Sequence, residues 1–244
     1  MTTSLFDLAT IAPITPPRQA AEQLSACFYS LPGVGKTRLA GSISEVAEAS
    51  PVLLMDFEGG SSVLAHSYPN VDVVQVNEWA TGKALVEALV NEDHKYKTVI
   101  LDTVGEAQEQ IKSWSVQQFG ESNPYKKYED IADQMTRSIR FLHKSGMNVI
   151  VIAHVERDKD EIRRSLTFRP YTLGKKSSVE LPKTFDVIGY LTMEEDDDSG
   201  EPYRALQLQP SPGIEAKDRT GLLPARIVEP TFEKIYSYFT KSEK

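Results

Sequence analysis

The 244-residue sequence predicts a single α/β domain: a mainly parallel sheet with helices on both faces, closed by an antiparallel C-terminal hairpin. Three observations predict it. A short apolar run, Leu24 to Tyr29, leads through a glycine-bearing loop directly into a helical segment. Further buried-looking runs (Pro51–Asp56, Val71–Val76, Tyr96–Thr103 and Met147–Ala153) alternate with helical segments, the pattern of parallel strands joined by crossover helices. Two later runs, Phe185–Met193 and Tyr203–Gln209, flank an acidic, glycine-containing turn, 194–201, that reads as a hairpin tip.

The loop after the first strand reads Ser30-Leu31-Pro32-Gly33-Val34-Gly35-Lys36-Thr37, with Arg38 following. Strand, glycine-rich loop, then Gly-Lys-Thr entering a helix is the phosphate-binding loop pattern. Gly33 and Gly35 let the backbone curl so that N–H groups converge on phosphate oxygens. The helix N-terminus adds partial positive charge. Lys36 is suited to reach the β- and γ-phosphates, and the Thr37 hydroxyl to ligate Mg²⁺. Ser30 stands where the pattern usually has its first glycine. The helix is expected over Lys36–Ala49.

Asp56 ends the second run and is followed by Phe57-Glu58-Gly59-Gly60. A carboxylate at the C-terminal end of a parallel strand lies on the ligand-binding edge of such a sheet. Asp102-Thr103 closes the next buried run, and Asp102 is the expected support for Mg²⁺. His154 follows the Met147–Ala153 strand, placed either to touch a γ-phosphate or to sit as an ordinary histidine at the sheet edge. Helices are expected over Lys83–Asn91, Glu106–Phe119, Tyr128–Lys144 and Thr231–Phe239.

Composition bounds the rest. Charged residues make up 25% and hydrophobic residues 40%, with a net charge of −8, which argues against a wholly basic nucleic-acid coat. No apolar run approaches the roughly 20 residues that span a bilayer. The lone Cys27 and the absence of a signal-peptide pattern at Met1-Thr2-Thr3-Ser4 suit a cytoplasmic protein. Residues 1–23 form a leader in which Leu5–Ile11 is apolar and Pro13, Pro16 and Pro17 stiffen the connection; 24–244 form the core. The leader is either a flap on its own domain or an arm that docks elsewhere.

Val155 to Pro182 is polar, with little periodicity, and is expected to be irregular. From Arg163 to Lys183 it carries Arg163, Arg164, Arg169, Lys175, Lys176 and Lys183 against Glu180 alone. With Phe168 and Tyr171, these cations suit single-stranded nucleic acid, charge for phosphates and rings for bases; the alternative is a solvated loop.

The order of Gly35-Lys36-Thr37, Asp56-Phe57-Glu58, Asp102-Thr103, His154 and Lys217-Asp218-Arg219-Thr220-Gly221 resembles the RecA/RadA/KaiC superfamily. It is most similar to the small phage-encoded RecA-like ATPases of the AAA-family nucleotide-binding type, some of which anneal single strands. The resemblance extends over residues 24–240. It implies an ATP- and Mg²⁺-dependent recombination ATPase that binds single-stranded DNA and assembles with itself into a ring or filament, with a single-strand-binding protein as a further partner. It further implies that Glu58 activates the attacking water and that His154 senses the γ-phosphate. Lys217 and Arg219 would act on a neighbouring subunit's nucleotide; in an extended loop, residues two apart point the same way. Phe6-Asp7-Leu8-Ala9 has the Phe-x-x-Ala spacing by which filament-forming relatives plug into a neighbour. Asp218 and Thr220 replace the Asn and Phe of the RadA motif, and the zinc cysteines and protease-like domain of RadA and the large C-terminal domain of RecA are missing. Two other functions are compatible with the sequence. One is an annealing module that uses nucleotide only to gate assembly. The other is a nucleotide-binding regulator with a protein partner and no DNA.

Overall fold

The computed structural model describes residues 23–120, 124–160 and 165–240. The leader residues up to 22, with Phe6 and Ala9, and the pair Arg163 and Arg164 lie outside the described residues.

The chain forms a mixed α/β fold. Its strands are β1 (Ser25–Ser30), β2 (Val52–Asp56), β3 (Val71–Gln75), β4 (Thr98–Asp102), β5 (Asn148–Asp160), β6 (Ser165–Pro170), β7 (Val187–Glu195), β8 (Pro202–Gln207), β9 (Lys217–Asp218) and β10 (Arg226–Val228). Its helices are α1 (Lys36–Gly41), α2 (Leu64–Ser67), α3 (Trp79–Asn91), α4 (Val104–Phe119), α5 (Pro124–Lys144), α6 (Lys175–Glu180) and α7 (Phe232–Thr240). The sheet runs β10-β8-β7-β1-β5-β4-β2-β3, with β6 attached to β5 and β9 to β7. From β3 to β7 every neighbouring pair along this order is parallel. The pairs β7–β8 and β8–β10 are antiparallel and form the expected C-terminal hairpin and its edge.

Side chains alternate along each strand, so one strand feeds two cores. Cys27, Tyr29, Leu53, Met55, Val99, Leu101, Val149 and Val151 face α3, α4 and α5. Ala26, Phe28, Leu54, Ile100, Ile150 and Ile152 face α1 and α7. Both faces are therefore dry, which is why β1, β2 and β4 read as unbroken apolar runs.

Several expected boundaries move. The helix expected over Lys36–Ala49 ends at Gly41 and continues as a 3-10 turn, Ser42–Glu45. Gly41 and Ser42 are weak helix formers. Ser42 donates its hydroxyl to the Leu39 carbonyl at 2.6 Å and accepts the Phe232 N–H at 2.9 Å, tying the turn to the start of α7. The α3 helix starts four residues earlier than expected, at Trp79, whose buried indole donates its N–H to Gln134 Oε1 of α5 at 2.7 Å. The hairpin strands β7 and β8 are displaced by one or two residues from their expected limits.

The largest correction concerns Val155–Pro182. Its described residues are mostly regular secondary structure: β5 runs on to Asp160 and pairs with β6 as an antiparallel ribbon, and α6 follows after 171–174. The base of the ribbon packs on the core through Val155 and Phe168, but 157–159 and Leu166 are exposed, so the outer part lacks the apolar alternation that signals a strand. Charge pairs across it instead: Arg169 lies opposite Glu156 in the register and binds it at 3.0 Å, and reaches Asp158 at 3.1 Å.

Candidate nucleotide site

The C-terminal ends of the parallel strands collect the expected residues on one edge. Ser30 pairs in register with His154 across β1–β5, and Asp56 with Asp102 across β2–β4. Strand β5, ending its core portion at His154, lies between the loop-bearing β1 and the Asp102-bearing β4.

The loop from Ser30 to Thr37 uses glycine where its turns demand it. Gly33 and Gly35 have φ of 79° and 106°, which side chains with a Cβ rarely adopt. Ser30, fully buried, donates its hydroxyl to the Leu31 carbonyl at 2.7 Å. Lys36 is only 7% exposed, and its ammonium donates to the Leu31 carbonyl at 3.3 Å. Burial lowers its pKa, opposed by the charges of Asp102 and Glu58. Pro32 and Val34 lie in the same loop, and Arg38 lines a cleft of about 260 Å³ beside it, with Gly35, Tyr68, Arg204, Thr231 and Lys234.

Thr37 and Asp102, 65 residues apart in sequence, meet directly: the hydroxyl donates to Asp102 Oδ2 at 2.6 Å. Burial pushes the Asp102 carboxyl up to about 6; Glu58 and Asp56 push it the same way, while the Thr37 hydrogen bond and Lys36 oppose the rise. A hydroxyl and a carboxylate in contact are hard oxygen donors of the kind Mg²⁺ takes. Mg²⁺ is commonly held by one or two protein oxygens together with water and substrate phosphates, and Thr37 and Asp102 are such a pair.

Glu58 stands at the tip of the β2 loop, with Oε1 3.0 Å from His154 Nε2. His154 Nδ1 is buried and has no hydrogen-bond partner among the described residues. The His154 carbonyl accepts the Tyr171 N–H at 2.7 Å, joining the end of β6 to the site. What fixes the Glu58 loop is Asp56. Its Oδ1 accepts the N–H groups of Glu58, Gly59 and Gly60 at 3.1, 2.7 and 3.3 Å, and its Oδ2 accepts Ser61 N–H and Gln75 Nε2 at 3.0 and 2.8 Å. Burial raises the Asp56 pKa, but the bonds from Ser61, Gln75 and Gly59 outweigh it and hold the carboxyl below its usual value. Asp56 thus spends its acceptors on its own loop. A signal was present in the sequence: Asp56, at a strand end and followed within four residues by Gly59-Gly60, suits a turn built on side-chain-to-backbone bonds.

The remaining expected residues lie elsewhere. Lys217 and Arg219 do not occupy a free loop: β9 pairs with β7 at Val187 and Ile188, level with Ala26 and Cys27 and so near the opposite end of β1 from Ser30. Both cations point to one place, as the two-residue spacing predicts. Lys217 donates to the carbonyls of Pro182 and Phe185, and Arg219 donates to the Lys183 carbonyl at 3.0 Å. Burial and the Arg219 charge lower the Lys217 pKa, against Asp186 and Glu215. Within the chain neither joins the 30–37 loop.

Of the basic residues, Arg169 is matched by Glu156 and Asp158, and Lys176 by Glu129 and Asp133 of α5 at 3.0 and 2.9 Å. Lys175, at the start of α6, is exposed. Phe168 stacks on Tyr190 with centroids 5.7 Å apart, so its ring packs on the protein. A larger groove of about 550 Å³, lined by Trp79, Trp114 and Phe141, contains none of the expected site residues.

Comparison with known proteins bears on this geometry. The model of a family described as an AAA domain matches residues 22–220. No curated protein matches. Among solved structures, a KaiC-like protein of the hyperthermophilic archaeon Pyrococcus horikoshii OT3 is similar at 13% identity, covering 76% of this chain and 78% of that chain, with a TM-score of 0.45.

Proposed function

Because the chain belongs to the AAA domain family, we propose that it is an ATP- and Mg²⁺-dependent ATPase of RecA/KaiC type that binds single-stranded DNA in an annealing or strand-pairing role. The observation that carries the ATPase reading is the 2.6 Å contact of Thr37 with Asp102, which brings together the two halves of a nucleotide site from distant parts of the chain. Bound Mg²⁺ neutralises the developing charge on the phosphates. Lys36 and the loop N–H groups hold phosphate oxygens, and Thr37 and Asp102 supply metal ligands. Glu58 orients the attacking water and accepts its proton, and His154, hydrogen-bonded to Glu58, fixes that carboxylate in place.

The DNA reading is supported by the connection between the basic segment and the site. Tyr171 binds the His154 carbonyl, and Gln108 on α4 accepts the Leu173 N–H at 2.7 Å and donates to Ser177 at 2.9 Å. A strand bound near α6 would thereby be coupled to the nucleotide. A second reading, a nucleotide-gated module or regulator with a protein partner and no DNA, is favoured by the internal pairing of Arg169 and Lys176. In the DNA-binding reading the protein assembles with itself, with Lys217 and Arg219 facing a neighbour's nucleotide, and works in the cytoplasm. No described helix is long and apolar enough to cross a membrane.

The deciding experiment is ATP hydrolysis with and without single-stranded DNA, with Lys36→Ala as control. Turnover that DNA stimulates and Lys36→Ala abolishes supports the first reading. Turnover indifferent to DNA, with no salt-dependent DNA affinity, supports the second. No nucleotide binding at all sinks both.

A further inference from the structure

The phosphate-binding loop is oriented by a residue far from it in sequence. A peptide unit is planar and trans, so its C=O and N–H point in opposite directions. The carbonyl of Val34 and the N–H of Gly35 belong to one such unit. Arg204, on β8, donates Nε–H to the Val34 carbonyl at 2.8 Å. Held on the β8 side, that carbonyl leaves the Gly35 N–H directed the other way. Gly35 has φ of 106°, which residues with a Cβ rarely adopt, and a Cβ there would lie 3.0 Å from Arg204 Nε, so the guanidinium would have to shift to admit one.

Arg204 is itself fixed with unusual care. Its backbone N–H donates to Glu229 Oε1 at 2.6 Å, its carbonyl accepts the Glu229 N–H at 2.8 Å, and its guanidinium lies 3.9 Å from Glu229 Oε2. Glu229 has φ of 44°, the only positive φ at a non-glycine position among the described residues. Such a conformation carries strain and persists where surrounding contacts enforce it. Lys234 supplies one such contact, donating to the carbonyls of Val228 and Glu229 at 3.0 and 2.6 Å.

We propose that Arg204 is a positioning residue for nucleotide binding: by holding the Val34 carbonyl it aims the Gly35 N–H at a phosphate oxygen, and Glu229 holds Arg204 for that task. The proposal rests on the nucleotide-binding reading of the loop. It assigns the antiparallel edge of the sheet a part in the site that the glycine-lysine motif does not contain. A plain structural brace between β8 and the core would use the same bonds, so the test must separate the two.

The test measures amide hydrogen exchange in the nucleotide-free protein, together with equilibrium binding of a fluorescent ATP analogue. The variants are Arg204→Ala, Arg204→Lys and Glu229→Gly, the last chosen because glycine adopts φ of 44° without strain. Arg204→Ala should speed exchange about tenfold at Gly33–Thr37 while β7 keeps its protection, and should weaken nucleotide binding about tenfold, with KM rising by more than kcat falls. Arg204→Lys should recover part of both effects, since an ammonium can still donate one bond to Val34. Glu229→Gly should give a smaller loss in the same direction. Unchanged loop exchange and unchanged affinity in Arg204→Ala overturn the proposal. Loss of protection across β7 and β8 as well as the loop also overturns it, in favour of the brace; Arg204→Lys, the variant less disruptive to folding, then reads the same two quantities. If the wild type and Lys36→Ala bind nucleotide equally poorly, the nucleotide reading fails, and the loop exchange still shows whether Arg204 orients the loop.

Discussion

Nε2 of His154 and Oε1 of Glu58 stand 3.0 Å apart, although 96 residues separate them in the chain. The pair joins the tip of β5 to the tip of the β2 loop, across the edge where Lys36, Thr37 and Asp102 converge. In the proposed mechanism Glu58 is the base, and a base held by a neighbouring imidazole is oriented before substrate arrives, which is what water attack on a phosphate requires.

Glu58→Gln should therefore bind ATP with near wild-type affinity and hydrolyse it about 10² to 10⁴ times more slowly. Single-turnover hydrolysis with binding measured in parallel checks this. A wild-type rate in Glu58→Gln means that another group handles the water.

Asp102 gives a pH prediction with a definite sign. Its folded pKa, about 6, lies above its ordinary value of 3.8. The neutral carboxyl is the form that folding favours, so its contribution is complete below pH 3.8 and is lost as pH rises through 6. Nucleotide-free wild type should lose on the order of 2–3 kcal/mol relative to Asp102→Asn between pH 4 and pH 7.5. Denaturant unfolding of both proteins at those two pH values measures it; parallel pH profiles would remove Asp102 as the cause.

Asp56 has the opposite sign. Its pKa is lowered, so its stabilisation is present above the unfolded pKa and fades as pH falls through the folded one. Asp56→Asn should cost about 2 kcal/mol at pH 7, with the gap to wild type closing in strong acid, because charged acceptors make the stronger bonds. Turnover should fall further than stability explains, since the same loop presents Glu58.

The DNA reading is tested by salt. Neutralising Arg163, Arg164 and Lys175 should flatten the dependence of log affinity on log salt by about 0.7 for each DNA phosphate that is no longer neutralised. Arg169→Ala should leave the slope nearly unchanged, because Glu156 and Asp158 already match that charge. A slope insensitive to the first three moves the DNA site elsewhere or removes it.

Action between subunits is tested by mixing. Arg219→Ala and Lys36→Ala proteins, each nearly inactive, should regain activity in mixed oligomers where an intact Arg219 meets an intact phosphate loop. No recovery in verified mixed oligomers assigns Lys217 and Arg219 to bracing the 182–185 turn, whose carbonyls they already bind.

The centre of the sheet was legible because β1, β2, β4 and the inner part of β5 are dry on both faces, and each therefore appears as an apolar run ending in a candidate site residue: Ser30, Asp56, Asp102, His154. The phosphate loop was legible because glycine and lysine are chemically required there. The β5–β6 ribbon was not, since a two-stranded ribbon held by charges such as Arg169 with Glu156 has the composition of a loop. The short α1 escaped because the bond from Phe232 to Ser42 comes from the far end of the chain. Arg204 could not be found for the same reason, since its partner Val34 is 170 residues away.

Strand β5 changes neighbours at one peptide. Up to His154 it is paired with β1 inside the core, and from Val155 it is paired with β6 outside it. A single extended segment thus leaves the sheet at the residue that touches Glu58. Its inner part is held between β1 and β4, and its outer part, exposed over 157–159, is carried by β6. Whatever fixes His154 therefore also fixes the point from which the ribbon departs.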